Sequence, residues 1–420
     1  MASYASLTKE QLATEKANLQ KQYNAFKELG VKLDMSRGKP SVEQIALSME
    51  MLRCLTPEEI LKAGNYGILD GIPAAKKFFA NLLEVQPENI IVGGNSSLQL
   101  MYDTIARAMQ FGIMGNQPWS KQEKVKFLCP VPGYDRHFAI TELMNIEMVN
   151  IPMDENGPDM DQIEKLVNTD ASVKGIWCVP KYSNPTGITY SDDVVRRFAA
   201  LKPAAPDFRI FWDNAYVVHH LSDEHDELLN IFEECKKYNN QDMVYEFCST
   251  SKITFPGAGV AAMAASESNI KWILKLMTVQ TIGYDKLNQI RHCKYLKSQE
   301  FLTEHMKKHA ASIKPKFDIV LDYLDREIAP LEIARWTKPK GGYFVSFNTM
   351  NGCAKRVGEL CKQAGVTLTG VGATFPYGID VNDSNIRIAP TFPPVEELEQ
   401  AMQLFCICVK LASVEKLMEE

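Results

Sequence analysis

Four short segments carry residues whose types and order could do chemistry. The first, Gly93-Gly94-Asn95-Ser96-Ser97, follows an apolar run and opens a helical pattern. Backbone N–H groups and hydroxyls at a helix N-terminus suit a phosphate. Read alone, the segment is also an ordinary capped turn. The second, Ser183-Asn184-Pro185-Thr186-Gly187, sets an asparagine before a proline. That placement pushes Asn184 out of the helical region and lets its amide point into a cleft. The third, Asp213-Asn214-Ala215-Tyr216, closes the apolar run Arg209-Ile210-Phe211-Trp212. A carboxylate among apolar neighbours is costly unless a cation pairs with it, and a helix cap is its competing explanation. The fourth is Ser249-Thr250-Ser251-Lys252, followed by the turn Ile253-Thr254-Phe255-Pro256-Gly257-Ala258-Gly259. A lysine set among hydroxyls and an apolar turn can lose solvation, which frees its amine as nucleophile and base.

The elements that must position these segments read as alternating strands and helices. Candidate strands are Ile90–Val92, Val125–Cys129, Ile146–Ile151, Gly175–Val179, Arg209–Asp213, Met243–Ser249 and Val260–Ala265. Leu98, Met101, Ile105 and Met109 share one face of an intervening helix, and Val194, Val195, Phe198 and Leu201 share one face of another. Such alternation predicts an α/β fold: a mostly parallel, seven-stranded sheet with helices on both faces. Ligands in such sheets bind at the carboxyl ends of strands, where all four segments fall. Residues 266–328 read as helical. Beyond them, strands at Glu332–Thr337, Tyr343–Asn348 and Asn385–Ala389 alternate with helices at Cys353–Ala364 and Val395–Leu411, which predicts a small α+β domain. The expected division is a large domain over 50–325, with 1–49 and 326–420 forming the smaller part.

Composition narrows the classes. In 420 residues, 45% are hydrophobic and 23% charged, the profile of a globular chain with more than one core. A net charge of -6 argues against a nucleic-acid partner. No apolar stretch reaches the roughly 18 residues needed to span a bilayer. The segment Met1–Gln20 is polar and helical in pattern, without the apolar core of a signal peptide. The ten cysteines form no C-x-x-C pair, so reduced thiols in a cytoplasmic protein are expected.

Asn184, then Asp213-x-x-Tyr216, then Ser249-x-Ser251-Lys252 occur in one order. With Pro132-Gly133-Tyr134, Gly341-Gly342-Tyr343-Phe344 and Arg387 in Asn385-Ile386-Arg387-Ile388-Ala389, this series resembles the pyridoxal-5′-phosphate (PLP) aminotransferases of the aspartate aminotransferase superfamily, fold type I, class I. The resemblance covers roughly residues 35 to 412. Ser36-Arg37-Gly38-Lys39-Pro40-Ser41 and Tyr134-Asp135-Arg136-His137-Phe138 look like a divergent bacterial branch of aspartate aminotransferases.

The resemblance implies a PLP-dependent transferase fold and transamination between L-aspartate and 2-oxoglutarate. It makes Lys252 the covalent anchor of PLP and the base that moves the substrate proton. Asp213 would hold the pyridine nitrogen protonated, supported by His137. Tyr216 and Asn184 would bond the phenolate oxygen, and Tyr134 would cover the ring. Ser96, Ser97, Ser249 and Ser251 are the phosphate candidates. Arg387 would bind the α-carboxylate. Tyr66 resembles a tyrosine that reaches the phosphate of a neighbouring subunit, which implies a homodimer with shared sites. A second carboxylate needs a second cation, for which Arg37, beside Gly38, is favoured over Arg136. The pattern departs from the family in one place. Val260 stands eight residues after the lysine, where a phosphate-binding arginine is expected, and no Lys or Arg lies between Ile253 and Ile270.

Rival chemistries have weaker support. His305 and His309 have a zinc-compatible i, i+4 spacing, but flanking lysines favour a solvated helix. His219, His220 and His225 read as loop residues. No G-x-S-x-G elbow points to a hydrolase. No metal site is expected. Within PLP chemistry, other donors (alanine, aromatic), β-lyase activity or decarboxylation use the same parts, and a non-catalytic PLP sensor is the non-enzyme alternative.

Overall fold

A computed structural model describes residues 3–419. The outer limits of the expected domains, residues 1 and 420, lie outside the described residues. Strands β2 (Ile90–Val92), β3 (Lys126–Val131), β4 (Glu147–Asp154), β5 (Gly157–Pro158), β6 (Val173–Cys178), β7 (Arg209–Asp213), β8 (Val244–Ser249) and β9 (Ala261–Ala264) form one sheet. Its order is β2-β9-β8-β7-β6-β3-β4-β5. The run from β8 to β4 is parallel, while β9 is antiparallel to both of its neighbours. All seven expected strands are present. The eighth, β5, is a two-residue hairpin partner of β4, too short to leave a pattern in the sequence.

Both faces of this sheet are buried, so its strands read as nearly continuous apolar runs. Alternation sorts them. Ile176, Cys178, Ile210, Trp212, Val244 and Cys248 pack into one core. Phe127, Trp177, Phe211, Tyr245 and Phe247 pack into the other. The helices follow their apolar stripes. Val194, Val195 and Phe198 of the helix Asp192–Ala199 are buried, and Ser191 caps its first turn.

A third core joins the two ends of the chain. The helix Lys9–Glu28 opens with a Thr8/Gln11 capping box and buries Leu12, Leu19, Tyr23 and Phe26. These pack in one cluster with residues of the helices Ala354–Gln363 and Val395–Glu419. Strand β1 (Leu33–Asp34) pairs with β12 (Val366–Thr367). Strands β10 (Ala334–Trp336), β11 (Val345–Thr349) and β13 (Asn385–Ile388) form a small antiparallel sheet. On β13, Ile386 and Ile388 enter this core. Alternation therefore turns Arg387 to the other face, toward the large sheet.

Candidate active site

Parallel pairing brings the carboxyl ends of β3, β6, β7 and β8 to one edge of the sheet, and the candidate residues lie just beyond these ends. Asp213 is the last residue of β7 and pairs in register with Phe247. It shares the face of Phe211, where His137 lies. The His137 Nε2 is 3.0 Å from Asp213 Oδ2. The His137 ring is stacked on Trp177 at 4.4 Å. Trp177 Nε1 donates to Thr141 Oγ1, which donates to the carbonyl of His137. The other carboxylate oxygen, Asp213 Oδ1, is buried and has no hydrogen-bond partner. A buried orphan acceptor is costly, so this atom is shaped for a donor from outside the chain. A protonated ring nitrogen fits it.

Lys252 is presented by a tight turn. The N–H groups of Ile253 and Thr254 donate to the Thr250 carbonyl, each at 2.9 Å. Val260 N–H donates to Thr250 Oγ1. The Lys252 Nζ lies 5.0 Å over the Tyr216 ring and 5.8 Å over the Tyr343 ring. Burial holds its pKa below the ordinary lysine range; the Asp213 charge opposes this and the Arg387 charge adds to it. An amine shifted this way is a better nucleophile and base near neutrality. Burial also raises the Tyr216 phenol well above its ordinary pKa, and that of Tyr134 to about 12, with Asp213 adding to both. Both hydroxyls are therefore donors.

The serine candidates converge. Ser249 Oγ donates to Ser251 Oγ, and Ser251 Oγ donates to the Asn95 carbonyl. Asn95 Nδ2 donates back to the Gly257 carbonyl. Ser96 caps the helix Ser97–Phe111 without using its side chain. The bond from Ser251 to the Asn95 carbonyl thus brings the start of this helix next to Ser249 and Ser251. Val260 is 3% exposed and packs in the sheet core, so this position supplies no cation to the phosphate end.

Arg387 reaches across from the small sheet. Its Nη1 donates to Asp135 Oδ1 at 3.0 Å and to Asn184 Oδ1 at 3.1 Å, and its Nε donates to Thr369 Oγ1. Its guanidinium lies 4.8 Å over the Phe344 ring. A Cβ on Gly38 would stand 2.2 Å from that ring, so glycine lets the N-terminal segment pass close to Arg387. Arg37 and Arg136 are both exposed, and Tyr66 is 84% exposed. None of these three is packed into the buried contacts around Asp213 and Arg387.

One reading of histidines needs correction. His305 and His309 are 3% and 2% exposed, not on a solvated face. They pack beneath the turn after Lys252, while Lys307 and Lys308 beside them are exposed. His219 lies in a loop, as expected, but is buried near the rings of Tyr216 and Tyr343. Burial, then the Lys252 charge, holds it well below the ordinary histidine pKa, so it is neutral. Sequence reasoning also missed Asp135 as the partner of Arg387, though it adjoins Tyr134. Among the described residues no group of three or more His, Cys, Asp or Glu is arranged to hold a metal ion. No helix there is long and apolar enough to cross a membrane.

A strand-end carboxylate with an open oxygen, a desolvated lysine, a serine-lined helix N-terminus and an arginine from a second sheet define the class of PLP-type aminotransferases. The chain belongs to the aspartate aminotransferase family: the family model "Aspartate amino-transferase" matches residues 7–420. It is 46% identical to an aspartate aminotransferase of Corynebacterium glutamicum, over 95% of this chain and 93% of that one. It is 44% identical to a putative aminotransferase of Mycolicibacterium smegmatis, over 99% of each. The crystal structure of an aspartate transaminase from C. glutamicum superposes with a TM-score of 0.95 at 44% identity, covering 99% of both chains.

Proposed function

We propose that this enzyme transfers the amino group of L-aspartate to 2-oxoglutarate, forming oxaloacetate and L-glutamate, with PLP held on Lys252. The observation that carries the site reading is the orphaned Asp213 Oδ1, buried on the sheet edge that also bears Lys252. Bound PLP supplies the electron sink for the carbanion at the substrate Cα. The residues do the rest. Asp213, held by His137, keeps the ring nitrogen protonated. Asn184 and Tyr216 donate to the phenolate oxygen, and Tyr134 covers the ring. Ser96, Ser97, Ser249, Ser251 and the helix N-terminus hold the phosphate. Lys252 takes the proton from the substrate Cα.

Arg387 takes the α-carboxylate. Arg387→Lys keeps the charge but loses the planar fork. A charge-assisted hydrogen bond is worth about 1.5–3 kcal/mol, so kcat/KM for aspartate falls roughly 10- to 100-fold. Steady-state kinetics on the purified variant checks this; a change under threefold would remove Arg387 from the substrate site. Arg37 is proposed for the distal carboxylate, carried inward when residues 1–49 and 326–420 close over the large domain (50–325). Arg37→Ala lowers kcat/KM for aspartate about tenfold or more while sparing alanine. An equal effect on both donors would remove Arg37 from that role.

A cytoplasmic homodimer completes the proposal. The exposed Tyr66 is then the residue that reaches the partner's phosphate. The activity is tested with a panel of amino donors and 2-oxoglutarate as acceptor. Aspartate gives the highest kcat/KM. Faster turnover of an aromatic or aliphatic donor would reassign the substrate, and cofactor binding without turnover would indicate a sensor.

A further inference from the structure

We infer that Gln44, acting through His309 and Tyr343, is a positioning residue for Lys252, tying the N-terminal segment that carries Arg37 to the turn that presents the amine. The inference deepens the proposed site. It rests on an unbroken series of buried contacts. The carbonyl of Ile253, the residue after Lys252, meets His305 Nε2 at 2.7 Å and His309 Nε2 at 3.0 Å. Gln44 Nε2 is 3.1 Å from His309 Nδ1 and 3.0 Å from the Tyr343 hydroxyl. Gln44 is fully buried.

The two Nε2 atoms also lie 3.2 Å from each other. One assignment serves the carbonyl from both sides: a carbonyl only accepts, so both histidines present Nε2–H to Ile253. Burial is the chief cause holding both below the ordinary histidine pKa, His309 at about 4. Both are therefore neutral, with Nδ1 an acceptor. Gln44 must then donate one proton to His309 Nδ1 and the other to the Tyr343 oxygen. Its carbonyl oxygen accepts from the Ser41 N–H, closing a capping box on the short helix Val42–Ala46. Every polar group of the Gln44 side chain is thus engaged. Tyr343 ends the series with its ring beside the Lys252 amine.

The same segment is tied to the substrate arginine at its other end. Thr369 Oγ1 donates to the Ser36 carbonyl and accepts from Arg387 Nε. Residues 36–44 therefore bridge the α-carboxylate arginine and the lysine turn. Seating of this segment on substrate is felt at Lys252 through Gln44.

Gln44→Glu isolates the effect. Glutamate keeps the capping acceptor but has no N–H for His309 Nδ1, and toward Tyr343 it can only accept, which reverses that bond. Hydrogen exchange of the full cofactor-free chain is read by mass spectrometry. Amides of residues 251–254 exchange about tenfold faster, while those of β7 stay within twofold of the parent. With aspartate and 2-oxoglutarate, kcat falls about tenfold and KM changes less than threefold, because the amine is displaced while the substrate contacts remain. Unchanged exchange at 251–254, uniformly faster exchange, or a kcat within twofold of the parent overturns the inference. If Gln44→Glu does not fold, Tyr343→Phe breaks the series at its end nearest Lys252 and must give the same kcat loss at steady KM; an unchanged kcat overturns the inference there. If the parent itself fails to transaminate aspartate, the proposed function fails, and the exchange measurement still decides the role of Gln44.

Discussion

Replacing Lys252 with alanine abolishes transamination, with a loss of at least about 10⁴-fold in kcat, while PLP still binds without a covalent link. The size follows from two lost roles on one atom. The amine anchors the cofactor, and it is also the base that moves the substrate proton, a role worth roughly 10²–10⁴-fold by itself. No other lysine takes its place in the geometry. Lys181, near the end of β6, donates to the Val217 carbonyl and lines a different cavity, with Glu246 on the opposite face of the sheet. Binding survives because Asp213, Asn184, Tyr216 and the serine cluster remain. Borohydride trapping followed by peptide mass spectrometry is the check. Label on Lys252 in the parent and on no lysine in the variant is expected; stable label on another lysine would overturn the assignment.

Asp213→Asn lowers kcat by about 10³-fold without unfolding the chain. The amide matches the carboxylate in shape and can still meet His137, but it carries no charge to keep a ring nitrogen protonated. Leaving a buried charge without its partner costs about 3–5 kcal/mol, and each 1.36 kcal/mol is a factor of ten in rate. Stability changes little, because the mutation removes a buried charge that the chain itself leaves half unsatisfied. Single-turnover kinetics with aspartate, alongside a thermal melt, separates the two effects. A loss below tenfold at unchanged melting temperature would show that Asp213 does not face the cofactor ring.

How much of this was legible in the chain depends on whether the signal is local. The strand ends were readable because doubly buried strands are apolar runs, and their polar ends stand out. Once the sheet is parallel, Asn184, Asp213 and Lys252 must arrive at one edge, so their order in the chain already predicts a common site. Ser96 and Ser251 were readable for the same reason. Val260 was also readable as a departure, and in the structure its side chain belongs to the core.

The histidines of the helix Gln299–Glu327 mark the limit. Their i, i+4 spacing defines a face, but a sequence does not say what packs on that face. Glu304, Lys307 and Lys308 made a solvated reading reasonable, yet the helix buries the histidine face against the Lys252 turn and turns the charges outward. His219 sits in the loop expected of it, but its burial was not readable.

By itself, then, the sequence determined the type of sheet and which polar residues reach one edge of it, in what order, because those depend on periodicity and chain direction. Only the tertiary structure decided that Arg387 meets Asn184 and Asp135 and that Gln44 reaches His309. Those pairings join residues hundreds of positions apart, across separate sheets and helices. They are selected by the packing of whole surfaces, for which no short-range pattern exists to be read.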